Sequence, residues 1–476
     1  MKHFRFTTFF LMSLMAMSLM AKKHVFDKSV QAWAETYPTI QSRIVAPTFK
    51  NVDYPITSFG AIANDEKYLN TVSINAAINK CSYEGGGRVI VPKGTWHTGP
   101  ITLKSNVNLY LEEGAILLFT TDLSQYPLAL TRWEGMDCYN YQPQVYAYGE
   151  TNIAITGNGT LDGGASKDNW WAMCGAIGFG WNGNKESQKI GRPLLQKWND
   201  EKIPVEKRIL GKGFGMRVQL INLYKCKNIL IEGVTLLRSP FWVIHPLLSE
   251  NITVRGVHVF NDGPNGDGCD PESCKDVLIE NCHFHTGDDC IAIKSGRNGD
   301  GRRWNIPSEN IIVRNCFMED GHGGVVIGSE VTGGFNNLFV ENCKMNSPNL
   351  DRVIRIKTNM CRGGMVENVY VRNVEVGECK EEVLKINLNY EPNELSNRGY
   401  MPTVRNVFLD NVICKKSNYG VNIDALKEQY NIENIQLRNC SFDGVVKDCN
   451  IIKGKVKGIY FNGLKINKKK AKTVYL

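Results

Sequence analysis

Asn310-Ile-Ile-Val-Arg-Asn-Cys316 is one copy of a phrase that recurs along the second half of the chain. Its second and fourth positions are apolar, which is the period of a β-strand with one buried face. Phrases of the same form start at Asn228, Asn251, Asp276, Asn337, Asn368, Asn406 and Asn434. The starts lie between 23 and 38 residues apart. One strand per unit at such an irregular period is typical of the coils of a parallel β-solenoid.

A single helical pattern precedes the repeats. Between Thr71 and Cys81 apolar residues recur at helical spacing, and Gly85-Gly-Gly87 ends the pattern. Because many short strands follow, we expect this helix to cap the first coil and shield its edge. A propeller or a leucine-rich horseshoe would need steadier periods or Leu-rich helical segments. We therefore predict an all-β solenoid with a short N-terminal capping helix.

The N-terminus has the form of a secretory signal. Residues 1–21 combine early positive charges, an apolar run too short for a membrane span, and a small residue at the end. Residues 22–52 show no clear period and are predicted to be an extended lead-in to a β-helix domain over 53–470. We expect an exported protein, periplasmic or secreted, with no membrane partner once the signal is removed.

Charge and cysteine content narrow the class further. The net charge is +8 and there are 15 cysteines. Basic residues cluster in the tail 465–476 without interleaved aromatics, which predicts a solvated tail rather than a nucleic-acid partner. Cysteines at equivalent places of the repeat predict a ladder of free buried thiols, with one or two bridges among outliers such as Cys138 and Cys174. The spacing of Cys and His indicates no metal site.

Charged residues interrupt the apolar pattern at four places. Gly287-Asp-Asp-Cys290 puts two carboxylates before a buried strand, and the glycine allows a bend that would bring both to one surface. Asn265-Gly-Asp267 lies upstream, and Gly321-His-Gly323 lies downstream. In Arg355-Ile-Lys357 both cations point the same way on a strand. Singly, each has a structural interpretation (a turn, a packed histidine, a solvated face); together they are the parts of a glycosidase.

Glycosidic hydrolysis needs one protonated acid at the leaving oxygen and one carboxylate that activates water. Three neighbouring aspartates cannot all ionise easily, so one should have a raised pKa and serve as the acid. Asp270 precedes Pro271 and is interpreted as a residue that shapes the turn or supports the site.

These motifs, with Phe59-Gly-Ala61 and Gly157-Asn-Gly-Thr-Leu-Asp-Gly163, fall in an order that resembles the pectin-degrading polygalacturonases, glycoside hydrolase family 28, over about residues 59–390. The resemblance implies a right-handed parallel β-helix that hydrolyses α-1,4-linked galacturonic acid with inversion, and carboxyl groups roughly 6.5–9.5 Å apart. Where the family commonly has Asn-Thr-Asp this chain has Gly266, which puts the rigidity of that turn in question.

The resemblance also implies roles for individual residues. Asp288 would be the general acid, Asp267 and Asp289 would share the water as base, and His322 would orient the acid and the sugar hydroxyls. The residues implied to bind substrate are Asn265, Arg355, Lys357 and, more loosely, Tyr390. No metal or organic cofactor is implied, and the expected partner of a monomeric enzyme is a pectic polysaccharide or oligogalacturonide.

The repeat phrase is missing over about 164–218, where Asn169-Trp-Trp171 and Trp198 stand in an irregular insertion. Its tryptophans would either pack the loop onto the β-helix or stack on sugars. In both cases the insertion would wall off one end of the cleft. The form of Asn265 to Pro271 also resembles bacterial exo-acting members, so we predict attack from chain ends.

Four alternatives remain at this stage. Two belong to the same family: an endo-polygalacturonase and a rhamnogalacturonan hydrolase. A pectate-lyase-like eliminase would need a calcium cluster and an arginine base. A non-catalytic polysaccharide-binding solenoid would not need the acidic residues at all.

Overall fold

The computed structural model describes residues 28–183, 186–447 and 450–473. The predicted signal, residues 1–21, lies outside the described residues. The described residues up to Arg43 form one compact unit, and those from Ile44 onward form another. In the smaller unit a π-helical turn spans Ala32–Thr36 and an α-helix spans Tyr37–Arg43. The extended lead-in is therefore wrong for 32–43, where too few apolar residues are buried to make a helical period visible in the sequence.

The larger unit is a parallel β-helix, as predicted. Each coil adds strands to three stacks, and equivalent residues of successive coils pair directly, as Ile311 does with Leu338 and Leu338 with Val369. The inward side chains form one continuous apolar core. Buried apolar area of this kind is the main stabilising contribution, at roughly 25 cal/mol per Å².

The strands of the first stack are Asp53–Pro55, Gly87–Val91, Val107–Leu111, Thr151–Gly157, Lys227–Glu232, Glu250–Arg255, Lys275–Glu280, Ser308–Arg314, Phe335–Glu341, Met365–Val376, Thr403–Cys414, Ile432–Arg438 and Val456–Asn462. The strands of the second stack are Gly94–Thr98, Ala115–Phe119, Thr160–Asp162, Thr235–Leu237, His258–Asn261, His283–Thr286, Phe317–Asp320, Lys344–Met345, Ser441–Phe442, Lys465–Ile466 and the antiparallel Lys469–Lys470. Met365–Val376 and Thr403–Cys414 are long enough to run through both stacks.

The third stack is interrupted once. Its first part contains Ile101–Thr102, Val145–Tyr148, Ile221–Tyr224 and Ile244–Leu247, and its second part contains Ile291–Ile293, Val325–Gly328, Arg352–Lys357, Glu382–Asn387, Tyr419–Asp424 and Asn450–Lys453. Between them the chain segment around Cys269 pairs only through isolated bridges, to Ile244 on one side and Ile291 on the other. One coil thus has a loop where its neighbours have a strand.

Helices and a hairpin lie outside the coils. The predicted capping helix spans Thr71–Tyr83 and buries Ile74, Ala77 and Ile78. An antiparallel hairpin joins Leu128–Trp133 to Met136–Tyr141. The insertion contains a helix over Gln188–Asp200 and 3₁₀ turns at Trp170–Cys174, Ile177–Phe179 and Val205–Lys207; further short helices span Asn298–Trp304, Ile56–Phe59 and Leu123–Gln125. Among the described residues, no helix has the length and apolarity needed to cross a membrane.

Two side-chain ladders run along the β-helix. The asparagine that opens each phrase has a left-handed backbone, as Asn406 does at φ 59°, and its amide bonds to the neighbouring coil. Asn434 Nδ2 donates to Asn406 Oδ1 at 2.8 Å, and Asn406 Nδ2 donates to Asn368 Oδ1 at 3.1 Å. Asparagine is the residue besides glycine that tolerates this conformation best. The left-handed backbone at the first position of each phrase therefore explains the residue type found there.

The cysteines form the predicted ladder of thiols. Cys316 is buried, and its Sγ donates to the carbonyl oxygen of Arg314 at 3.3 Å; Cys282 and Cys343 in the adjacent coils make the equivalent bonds to Glu280 and Glu341. All fourteen cysteines among the described residues are free. The expected bridge among the outliers is therefore wrong for Cys138 and Cys174, both of which are free.

Candidate active site

The predicted site residues meet where the third stack is interrupted. Asp267 lies on the loop that replaces a strand, Asp288 and Asp289 precede the strand Ile291–Ile293, and His322 precedes the strand Val325–Gly328. Asp267, Asp288 and His322 face a cavity of about 270 Å³, whereas Asp289 is fully buried and is not among the residues that line it. Its lining includes Asn265, Asp267, Asp288, His322, Arg355, Lys357 and Tyr390 from the sequence prediction, together with Glu134, Arg192, Trp242, Lys294, Ser329, Glu330, Asp351, Arg352 and Glu391.

The three aspartates lie very close together. One carboxylate oxygen from each of Asp267, Asp288 and Asp289 lies within 4.8 Å of the other two. This closest approach is shorter than the separation of roughly 6.5–9.5 Å that the sequence predicted. Gly287 makes the bend possible, because a Cβ there would lie 2.6 Å from the carbonyl oxygen of Gly263. The turn therefore brings the carboxyls of Asp288 and Asp289 together, with Asp288 lining the cavity and Asp289 buried.

Asp288 is paired with His322. Its Oδ1 lies 2.9 Å from His322 Nδ1 and also accepts a hydrogen bond from the backbone N–H of Asp289 at 2.9 Å. The pair is mutual. Although burial opposes it, the hydrogen bond to His322 and its charge hold the pKa of Asp288 well below the usual range. The same hydrogen bond raises the pKa of His322 to about 9. At neutral pH the pair is a carboxylate and an imidazolium.

Asp267, rather than Asp288, is the aspartate with the raised pKa. Desolvation, followed by repulsion from Asp288, raises the pKa of Asp267 to about 7. Its side chain is 4% exposed, whereas that of Asp288 is 18% exposed. The expectation that the acid carried over by resemblance would also have the raised pKa is therefore wrong for the protein without substrate. The physical reason is the imidazolium beside Asp288, which Asp267 lacks.

Asp289 is fully buried and held by cations. Lys357 Nζ lies 2.7 Å from Asp289 Oδ2, and Arg355 Nη1 lies 3.7 Å from Asp289 Oδ1. The two cations share one face of the strand Arg352–Lys357, as predicted, while Ile356 between them is in the core. The ring of Tyr390 lies below both, 5.3 Å from Lys357 Nζ and 5.6 Å from Arg355 Cζ. Clustered carboxylate oxygens of this kind suit a positive charge. Here Lys357 and Arg355 already place two positive charges beside Asp289.

Asn265 lines the cavity with a left-handed backbone, and its Oδ1 accepts a 2.6 Å hydrogen bond from Arg217 of the insertion. Gly266 does not loosen the turn. A Cβ at Gly266 would lie 2.6 Å from the oxygen of Gly263 and 2.7 Å from Asn261 Nδ2. The turn is closed around this glycine, so the side chain that the family commonly has there would not fit.

Two groups of lining residues were absent from the prediction. Lys294 and Glu330 are buried behind the aspartates, and Lys294 Nζ lies 3.6 Å from Asp267 Oδ2. Lys294 follows the apolar run 290–293 and is an even number of residues from Asp288. On a regular strand the two side chains would share a face, so this spacing was a signal in the sequence. Glu134 and Arg192 come from the hairpin and the insertion, where no repeat gives a register, so the sequence offered no signal for them.

A network of ion pairs joins five irregular segments beside the cavity. Arg192 Nε lies 2.6 Å from Glu134 Oε2, and Arg297 Nη1 lies 3.0 Å from the same oxygen. Arg362 pairs with Glu391 at 2.6 Å and with Glu394. Arg297 also pairs with Glu391 at 3.5 Å. The network thereby ties together the hairpin, the insertion, the segment after the strand Ile291–Ile293, the loop after the strand Arg352–Lys357 and the loop after Leu388.

The tryptophans of the insertion pack the insertion itself. Trp170 is 1% exposed and belongs to a cluster with Tyr126 and Tyr141. Trp198 packs against a second cluster that includes Trp133 and Phe241. The aromatic residues that line the cavity are instead Trp242 and Tyr390. The structure therefore supports packing of the insertion by its tryptophans rather than stacking of those tryptophans on sugars.

Comparisons with known proteins identify the family to which the chain is similar. The sequence profile "Glycosyl hydrolases family 28" matches residues 196–459. A probable polygalacturonase of Vitis vinifera is 31% identical over 68% of this chain and 61% of its own length. The exo-poly-alpha-D-galacturonosidase of Dickeya chrysanthemi is 27% identical over 81% of this chain and 67% of its own. This chain thus spans less than two thirds of the grapevine relative.

Among solved structures, a hyperthermoactive exopolygalacturonase from Thermotoga maritima is 38% identical, with a TM-score of 0.88 over 93% of this chain and 98% of that one. A polygalacturonase from Erwinia carotovora ssp. carotovora, at 22% identity and a TM-score of 0.63, supports the fold alone.

Proposed function

The chain belongs to glycosyl hydrolases family 28, and we propose that it is a polygalacturonase that hydrolyses α-1,4-linked galacturonic acid in pectin from chain ends. The observation that carries the proposal is the convergence of Asp267, Asp288, one imidazolium and two fixed cations on one cavity. A carboxylate oxygen of the buried Asp289 lies within 4.8 Å of an oxygen of each of the other two aspartates. Carboxylates supply the acid and base of glycosidic hydrolysis, and the cations suit a uronate carboxylate.

In the proposed reaction Asp288 donates a proton to the leaving oxygen, and Asp267 with Asp289 activates the water. Because Asp288 is ionised in the free protein, the proton for the leaving oxygen comes from the Asp288–His322 pair, which holds one between Oδ1 and Nδ1 at 2.9 Å. Binding of substrate removes water from the pair and weakens the charge-separated form, so the proton moves to Asp288. The water then attacks the anomeric carbon and inverts its configuration.

The raised pKa of Asp267 favours a second assignment, in which Asp267 is the acid and Asp288 the base. The two assignments share the substrate and the fold and differ only in which carboxyl donates. They make opposite predictions for single variants and for the pH profile, which are given in the Discussion.

Substrate charge is the basis for choosing polygalacturonate over uncharged pectic galactans. Arg355 retains 13% of its side-chain exposure beside the cavity, and arginine can bind a carboxylate with two hydrogen bonds. His322 and the cationic pair also favour homogalacturonan over rhamnogalacturonan. We propose further that the chain is exported, on the pattern of residues 1–21, and acts as a monomer.

Exo attack is proposed from the ion-paired segments. Arg192 and Glu391 pair with each other and line the cavity with side chains 34% and 30% exposed. Their other partners are buried: Glu134 for Arg192, and Arg297 and Arg362 for Glu391. A cavity closed by a network of this kind would accept a chain terminus but not a continuous chain. The exo-acting relatives named above are consistent with this interpretation.

The decisive experiment measures reducing ends released from polygalacturonate. We expect release in the presence of EDTA, with no unsaturated product by ultraviolet absorbance and with an inverted anomer in the first proton NMR spectra. Unsaturated product would indicate an eliminase, and binding without release would indicate a non-catalytic solenoid. Faster release from rhamnogalacturonan, or a retained anomer, would overturn the substrate or the mechanism respectively.

A further inference from the structure

Asp270 is a buried carboxyl that the proposed reaction does not use. It is 0% exposed, and neither of its oxygens accepts a hydrogen bond from a donor of the usual geometry. Asp267 Oδ1 is also buried without such a donor. A buried polar atom left unsatisfied costs roughly 1–3 kcal/mol. Three such oxygens on two carboxyls of one turn therefore require a physical explanation.

A single ammonium group, that of Lys294, lies next to the carboxyls of both Asp267 and Asp270. Lys294 Nζ lies 3.4 Å from Asp270 Oδ1 and 3.6 Å from Asp267 Oδ2. The same nitrogen lies 3.5 Å from Glu330 Oε2. The neighbouring Asp289 has its own cation in Lys357. If both were ionised, the fully buried Asp270 and the nearly buried Asp267 would share part of one positive charge, which is strongly unfavourable.

A single proton removes both difficulties. Two carboxylates are acceptors only, but a carboxylic acid can donate its O–H to a neighbouring carboxylate. The side chains of Asp270 and Asp267 are within hydrogen-bonding reach of each other. Burial, and next the charge of Asp267, raise the pKa of Asp270 well above its usual range; Asp289 adds to the shift and Lys294 opposes it.

The backbone keeps Asp270 in this position. Its N–H donates to the carbonyl of Ile244 at 2.7 Å, and the preceding Cys269 is bridged to strands on both sides. Pro271 follows and fixes the turn. Asp270 therefore cannot move toward solvent to ionise without breaking the pairing of the third stack.

We propose that Asp270 is a neutral carboxylic acid that donates a hydrogen bond to Asp267 and so acts as a positioning residue for that carboxylate. The proposal rests on the proposed function only in giving Asp267 a catalytic task. The donated hydrogen bond fixes the orientation of Asp267 and favours its ionised form.

Infrared spectroscopy tests the protonation state without any substrate. At pH 9, above the pKa of about 7 of Asp267, the difference spectrum of wild type minus Asp270→Asn should show loss of a protonated-carboxyl C=O band. The control is Asp53→Asn, an exposed carboxylate paired with Arg88, which should lose a carboxylate band. Loss of a carboxylate band in Asp270→Asn would overturn the proposal. So would a wild-type spectrum at pH 9 without a protonated-carboxyl band, a result that needs no variant to fold.

Kinetics test the positioning role. Asp270→Asn keeps a neutral donor, so kcat should stay within about threefold and the acidic limb of the kcat/KM profile should not move. Asp270→Leu removes the donor, so kcat should fall by about tenfold or more and the acidic limb should move to higher pH. If Asp270 were ionised, Asp270→Asn would remove a negative charge beside Asp267 and move the limb to lower pH.

The two proposals can fail separately. A wild-type protein that releases no reducing ends from any pectic substrate would contradict the function and leave the infrared result valid. A pH profile in which Asp270→Asn and Asp270→Leu behave alike in an active enzyme would contradict the positioning role alone.

Discussion

Asp288 and Asp267 are the two candidates for the proton donor, and their electrostatic environments are opposite. Asp288→Asn should lower kcat on polygalacturonate by about 10²–10⁴ with little change in binding, because it removes the donor and keeps the shape. On a galacturonide with a nitrophenyl leaving group, which departs without a proton, Asp288→Asn should recover most of its activity and Asp267→Asn should not. Recovery in Asp267→Asn instead would exchange the two roles.

The pH profile gives an independent test of the same assignment. If Asp267 is the base, it must be ionised, and kcat/KM should fall as pH drops through about 7. If His322 must be protonated, kcat/KM should fall as pH rises through about 9. We therefore expect a bell-shaped profile between these limbs, and loss of the alkaline limb in His322→Gln. A profile that falls as pH rises through about 7 would show that Asp267 is the acid.

Arg355 gives a cleaner test of carboxylate binding than Lys357. Arg355→Met should raise KM for polygalacturonate by about tenfold or more, since a hydrogen bond to a charged group contributes about 1.5–3 kcal/mol. It should also weaken the preference over uncharged galactan. Lys357→Met should raise KM and lower kcat as well, because it leaves the buried Asp289 without its 2.7 Å partner.

The matched control is Arg405→Met, which removes an arginine paired with Glu367 on the outside of the β-helix and should leave KM unchanged. An unaltered KM in Arg355→Met would contradict a uronate contact at this position.

At the scale of the element, each phrase of the repeat begins with an asparagine, or once with Asp276, because the backbone is left-handed there. Asn406→Ala should lower the stability to unfolding by about 2 kcal/mol, from the left-handed backbone and the lost ladder bonds. Asn336→Ala is the control, since Asn336 also accepts a ladder bond, from Asn368 at 2.7 Å, without a left-handed backbone. It should cost about 1 kcal/mol or less.

Denaturant midpoints compare the two variants. Asn406→Gly should lie between Asn406→Ala and wild type, because glycine restores the backbone conformation and not the amide bonds. Equal midpoints for Asn406→Ala and Asn406→Gly would mean that the amide ladder, and not the backbone, fixes asparagine in the phrase.

The whole molecule determines exo or endo attack, because the ion-paired segments beside the cavity come from five separate parts of the chain. We expect viscometry of polygalacturonate to show many reducing ends released before viscosity falls, with mono- or digalacturonate as the first product. An endo-acting polygalacturonase serves as the comparison. An early collapse of viscosity would mean that the ion-paired segments leave the cleft open.

Sequence periodicity determined the fold, because a period-2 strand repeated at equivalent positions can bury its apolar face only by stacking on the next copy. It also placed the capping helix, and the order of short motifs identified every predicted residue that lines the cavity. The free thiol ladder followed from the same equivalence. These features are local or strictly repeated, so they are readable without three-dimensional contacts.

Other features were decided by tertiary structure alone. Which aspartate has the raised pKa depends on the 2.9 Å contact between Asp288 and His322, 34 residues apart in sequence. The closed turn at Gly266, the role of Lys294 between carboxyls, and the pairing of Arg192 with Glu134 likewise depend on distances between segments that no repeat relates. Electrostatic energies vary with burial and separation, and the sequence specifies neither until the β-helix has brought the segments together.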